Sequence, residues 1–119
     1  MSSIQASIPN KIQKVLNALG ITHNYLGYYQ AAYAIGLVLE DENRLLNVGK
    51  EIYQRIAGLD GCTFSAVERN LRTVSQRAWE INRKLLSEMA GYPLTRSPKP
   101  SEFIEHVATY LLRHPEEEL

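Results

Sequence analysis

Apolar residues recur at helical spacing along most of the chain, and the recurrences divide it into segments. After Pro9, residues Ile12, Val15, Leu16 and Leu19 share one face until Gly20 stops the run, which predicts a first helix over 9–19. Residues 27–39 are apolar nearly all round, the pattern of a helix buried in the middle of a bundle. Its tyrosines, Tyr28, Tyr29 and Tyr33, are read as core rather than as base-stacking groups. An acidic turn, Glu40 to Asn43, ends that helix, and Leu45, Leu46, Val48, Ile52, Ile56 and Leu59 predict another over 44–58. Residues 83–90 form a short helix closed by Gly91, and 92–100, with prolines at 93, 98 and 100, form a loop. Ser101 then caps a last helix carrying Phe103, Ile104, Val107, Ala108, Leu111 and Leu112, stopped by Pro115. The expected fold is all-α, a bundle of about six helices, with 1–8 a loose leading segment, 9–114 the domain and 115–119 an acidic tail.

The stretch Ile56–Trp79 organises the rest. It reads as the end of one helix, a tight turn at Gly61 and a longer second helix. A small residue at Ala57 permits close approach, Gly61 supplies the positive φ of a short inter-helix turn, and Cys62, Val67 and Leu71 seal the joint. That is the layout of a helix-turn-helix. At 100° per residue Val67, Leu71, Val74 and Ala78 form one narrow stripe with Ile81 close beside it, and Ser65, Arg69, Arg72 and Gln76 fall opposite. Such a face suits the major groove, because arginine bonds guanine O6 and N7 in bidentate fashion and glutamine does the same to adenine. The alternative is the solvated face of an ordinary helix. Ser65 and Glu68 have capping-box spacing, so the helix is expected to begin at Ser65; Glu68 either folds back on that first turn or accepts a bond from cytosine N4.

Charge changes this picture through its distribution. The chain is neutral overall, with 13 basic and 13 acidic residues among 119. Residues 61–84 hold five basic against two acidic residues, whereas 85–119 hold three against six. The positive segment is the proposed reading helix, which implies few phosphate contacts and favours binding as a homodimer or beside a protein partner. Arg96 and Lys99 in the loop are candidate phosphate contacts, with two solvated surface charges as the equal alternative. The single cysteine, Cys62, forms no internal disulfide and has no metal-spaced neighbours; it is read as an apolar plug in the turn. His23, His106 and His114 lie on three segments without a nucleophile, a ligand set or a phosphate loop, so no enzyme, catalytic residue, metal or cofactor is expected. With no apolar run of about twenty residues, no signal peptide and no lipidation motif, a soluble cytoplasmic protein away from membranes is expected.

Taken together, these residues resemble the C-terminal DNA-binding effector domain of the stage-zero sporulation response regulator of endospore-forming bacteria. The similarity runs from about Ile8 to Arg113 and is most specific at Val67-Glu68-Arg69, Arg72 and Ala78-Trp79, preceded by Ile56-Ala57 and the turn at Thr63. Gly27-Tyr28, Ala34-Ile35, Gly91-Tyr92 and Ser101-Glu102-Phe103-Ile104 support it. The resemblance implies a six-helix bundle that reads a short operator in double-stranded DNA, usually as tandem domains. It puts Ser65, Glu68, Arg69 and Arg72 at base- and phosphate-contacting positions. Ala66 stands where the family usually has a basic residue and Thr73 where it has a histidine, which changes either operator or affinity; Ile81-Asn82-Arg83 replaces a glycine break after the tryptophan, and Lys99-Pro100 a polar pair. Thr73 joins the candidate DNA-binding set. The family's phosphoacceptor domain has no counterpart here, so the chain is either an excised piece or a stand-alone protein controlled by abundance or a partner. Two functions compete: a sequence-specific transcription regulator domain, and a protein-interaction module of the same fold that has lost DNA binding.

Overall fold

The computed structural model describes residues 8–115. Five α-helices carry the fold: α1 (Asn10–Ala18), α2 (Leu26–Glu40), α3 (Gln54–Asp60), α4 (Phe64–Ala90) and α5 (Pro100–Arg113). Between α2 and α3 the chain passes through a 3₁₀ turn, Glu42–Asn47, and a π turn, Gly49–Tyr53. No strand occurs among the described residues, so the all-α bundle predicted from periodicity is the fold that forms. The expected loose segment 1–8 and tail 115–119 lie outside the described residues apart from Ile8 and Pro115. Ile8 is half-buried, and its carbonyl accepts a bond from Gln13 Nε2 at 2.7 Å. No described helix is long and apolar enough to cross a membrane.

The core is built around α2, which packs against α1, α4 and α5. Ala31, Ala34, Ile35 and Val38 are fully enclosed, and Tyr28 is 5% exposed while Tyr29 and Tyr33 are half-buried, so the tyrosines serve the core. Around α2 gather Ile12 and Leu16 of α1, Leu71 and Val74 of α4, and Phe103, Ile104 and Val107 of α5. Two glycines bring backbones close. Gly20 closes α1 at φ +87°, with the Gly20 and Ile21 amides donating to Asn17 and Leu16 carbonyls, and a Cβ there would sit 2.5 Å from Ile81 Cγ2. At Gly27 a Cβ would lie 2.7 Å from the Asn70 carbonyl oxygen, so the missing side chain sets the α2–α4 distance.

Outside the turn between α3 and α4, three boundaries differ from the sequence expectation by more than a residue or by their capping group. The helix expected over 44–58 is three short pieces of different winding, because Asp41 Oδ1 takes the Asn43 amide at 3.0 Å and the Arg44 guanidinium bonds the Leu37 carbonyl at 2.7 Å and Glu40 at 3.0 Å. These local bonds pull the start of the segment into a tight turn on the end of α2 and leave Leu46 86% exposed. The separate helix expected at 83–90 is the distal part of α4, beyond a kink at Asn82 (φ −151°, ψ 62°). Asn82 Oδ1 accepts the Leu85 amide at 3.2 Å, capping the distal part, while its Nδ2 donates to the Ala18 carbonyl at 3.0 Å. Finally, α5 begins at Pro100 rather than being capped by Ser101; the Glu102 carboxylate accepts the Lys99 amide at 2.9 Å, and a proline at the first helical position needs no donor there.

Candidate nucleic-acid interface

The turn between α3 and α4 forms as its residues dictate. Gly61 adopts φ 65°, ψ 35°, and the Cys62 amide closes back on the Ala57 carbonyl at 3.0 Å, so one left-handed residue reverses the chain. Thr63 then caps α4, its hydroxyl accepting the Ala66 amide at 3.0 Å. The start expected at Ser65, with Glu68 folded back in a capping box, is therefore corrected. Thr63 is the first side chain able to reach an orphan amide once the turn has ended, and Ser65 already lies inside the first turn. Glu68, released from capping, stands 3.6 Å from the Arg72 guanidinium on the next turn.

The two faces of α4 divide as the wheel predicts. Val67, Leu71, Val74 and Ala78 are at most 1% exposed. Ser65, Arg69, Arg72, Thr73 and Gln76 are exposed. Ile81, beside the stripe, is 50% exposed and packs against Gly20 at the end of α1. Among the described residues the Arg69 guanidinium has no hydrogen bond or ion pair, while the Thr73 hydroxyl donates to the Arg69 carbonyl at 3.1 Å. The segment's other arginines are spent on rings. Arg77 lies over Tyr25 at 5.5 Å and Arg83 over Trp79 at 4.3 Å. Before the kink at Asn82, Arg69 and Arg72 are the exposed cations of α4; Arg83 and Lys84 lie exposed beyond it.

The loop after α4 is anchored rather than free. Leu94 donates its amide to Ser87 Oγ at 3.0 Å, and the buried Ser75 hydroxyl donates to the Pro98 carbonyl at 2.6 Å. The second anchor brings Lys99 to α4: Glu68, Arg72 and Lys99 line one groove of about 470 Å³ together with Tyr53, Phe64, Pro100 and Ser101. Arg96 is not part of it. It borders a separate hollow of about 120 Å³ with Tyr92 and His106, its guanidinium 3.8 Å from Glu102 and 3.4 Å from the Ser97 carbonyl. Tyr53 forms the groove's inner wall, edge-on to Phe64 at 5.3 Å. Burial and then the Glu68 charge push its phenol up to about 12, and Arg72 partly offsets them. His106 is driven below its ordinary value by burial, against the pull of Glu105 and Glu102. Both groups are therefore neutral near pH 7.

The sequence reading did not single out several residues on which this site depends. Gln30, 2% exposed on α2, bonds Asp60 at 3.0 Å and Asn70 at 3.1 Å. Ser75 and Tyr53 are the others. A signal existed for Gln30 alone, since it is the amide side chain in the otherwise apolar and aromatic run 27–39. Among the described residues no group of three or more histidines, cysteines or carboxylates is arranged to hold a metal ion.

An amphipathic helix reached through a left-handed glycine turn, with one stripe buried and arginines on the other, is the arrangement of a helix-turn-helix DNA reader. Comparison with protein families agrees: the model described as Sporulation initiation factor Spo0A C terminal matches residues 12–111, most of the chain. The chain belongs to that family of DNA-binding effector domains of sporulation transcription regulators.

Proposed function

We propose that this domain reads a specific double-stranded DNA sequence by laying the exposed face of α4 in the major groove. Ser65, Glu68, Arg69, Arg72, Thr73 and Gln76 form the reading set, and Lys99 and Arg96 touch phosphates on the flank. The observation that carries the reading is the bare Arg69 guanidinium, opposite a stripe of residues at most 1% exposed. A guanidinium without an internal partner keeps its donors free for a guanine edge, and its planar fork presents two of them together. Glu68 and Arg72 hold one another at 3.6 Å, which orients the guanidinium before contact. With a neutral chain and few cations on this face, two copies on tandem or palindromic half-sites supply the affinity that one copy lacks.

Fluorescence anisotropy tests this directly. Duplexes recovered by selection from a random pool should bind tightly and with a steep salt dependence, and scrambled duplexes weakly. Arg69→Ala should cost about 1–3 kcal/mol and relax preference at one base pair, and Lys99→Ala should weaken all sequences alike. Weak, salt-insensitive and equal binding to both duplexes would defeat the reading and leave the protein-interaction module in its place.

A further inference from the structure

We propose that Gln30 is a positioning residue for sequence reading: from the buried helix α2 it fixes the rotation of α4 about its own axis. This inference rests on the DNA-reading role argued above. The Gln30 amide meets all three parts of the helix-turn-helix at once. Its Nε2 donates to Asp60 Oδ2 at 3.0 Å on the last residue of α3 and lies 3.9 Å from Cys62 Sγ in the turn. Its Oε1 accepts from Asn70 Nδ2 at 3.1 Å on α4. The assignment of the two ends is forced by chemistry, since the Asp60 carboxylate only accepts and so must face the amide nitrogen, which leaves the oxygen for the Asn70 donor.

Distance and rotation between α2 and α4 are set separately. Gly27, one turn before Gln30, lacks the Cβ that would collide with the Asn70 carbonyl and Val74 Cγ2, so the backbones meet there and fix the spacing. An apolar stripe of Val67, Leu71 and Val74 tolerates small rotations because dispersion contacts have no preferred direction. A hydrogen bond does not, because it weakens steeply as its angle closes. The Gln30–Asn70 bond therefore selects the rotation at the level of Arg69, and the Ser75–Pro98 and Asn82–Ala18 bonds hold α4 further along. Asn70 adjoins Arg69 in sequence, so the same rotation aims Arg69. On a helix whose side chains reach roughly 5–6 Å from the axis, a turn of about 10° displaces them by about 1 Å, enough to lose a bidentate contact with a base. Phosphate contacts, made by flexible side chains to a repeating backbone, absorb that shift.

The test uses the full chain with Gln30→Met, which keeps the volume and removes both bonds, and Asn70→Ala, which cuts the link from the half-buried α4 side and spares the core. Binding is measured to duplexes selected by the wild-type chain and to scrambled duplexes, alongside thermal unfolding and a fresh selection with each variant. Both variants should lose about tenfold affinity for the selected duplex, keep scrambled-duplex affinity and its salt slope, and return a degenerate sequence on reselection; the double variant should lose no more than either single one. An unchanged ratio of selected to scrambled affinity, whatever happens to the melting temperature, would make Gln30 a structural residue only and overturn the proposal. An equal fall for both duplexes would overturn it too. If the wild-type chain enriches no sequence at all, the DNA-reading role fails first and this inference falls with it.

Discussion

Helices α2 and α4 both carry long apolar series, yet one is covered on nearly every side and the other on a single stripe. Nine of the fifteen residues of α2 are buried, against seven of twenty-seven in α4. The first is spent mainly on the bundle, with Tyr33, Gly36 and Leu39 left at the edge of a hollow beside α1. The second spends its apolar stripe on stability and keeps a separate face whose side chains, among the described residues, bond only within their own helix or meet solvent. The contrast shows how a small neutral domain leaves one helical face open: one element is enclosed so that a neighbour need bury only a single stripe.

Substitutions on either side of α4 should separate most widely. Leu71→Ala, at a fully buried position, should cost about 2–5 kcal/mol by chemical denaturation, whereas Arg69→Ala should stay within about 0.5 kcal/mol of the parent while DNA affinity falls. Comparable stability losses for the two would erase the distinction between the faces.

The next largest effect concerns the contact between the two helices. Gly27→Val forces a side chain against the Asn70 carbonyl and should cost about 1–3 kcal/mol, with the helices driven apart. Gly58→Ala, in α3 with nothing within 4 Å of its added methyl, should instead stabilise by roughly 0.5–1 kcal/mol. Thermal melts of the pair distinguish close approach from mere glycine flexibility.

Capping of α4 gives a smaller difference. Thr63→Ala should lower stability by about 1 kcal/mol, and Ser65→Ala should leave it nearly unchanged while altering DNA affinity. The reverse order would restore the helix start expected from the sequence.

The smallest effect at neutral pH, and a visible one in alkali, belongs to Tyr53. Its folded pKa, about 12, lies above the ordinary value of 10.0, so the folded state holds the proton more tightly than the unfolded chain. Its contribution to stability is complete below pH 10 and falls away as pH rises toward about 12. Tyr53→Phe should flatten that part of the decline, followed by denaturation at a series of alkaline pH values; an unaltered slope would show that burial beside Glu68 has no such consequence.

The helical periods of α1, α2 and α5, the glycine stop at Gly20, the left-handed turn at Gly61 and the division of α4 into two faces were legible before any coordinates, because each follows from residues within a turn or two of one another. So was the exposure of Ser65, Arg69, Arg72 and Gln76. Local competition went unread. The sequence shows Asp41 and Arg44 as charges, but only in place do they bend residues 42–53 out of a regular helix. Similarly, the spacing of Ser65 and Glu68 suggested a cap at Ser65, and the turn's geometry gives that role to Thr63.

By itself, then, the sequence determined the all-α class, the core stripe of each main helix and the outward arginine face, since periodicity and glycine chirality are properties of neighbours along the chain. The tertiary structure alone decided that Arg77 turns onto the ring of Tyr25, at the start of α2, while Arg69 stays bare. It also decided that Lys99 joins the groove of Arg72 through the Ser75–Pro98 bond, and that Gln30 holds Asp60 and Asn70, residues 30 and 40 positions away. Those relations depend on how the helices cross, and a crossing is set by packing among distant segments that no local pattern records.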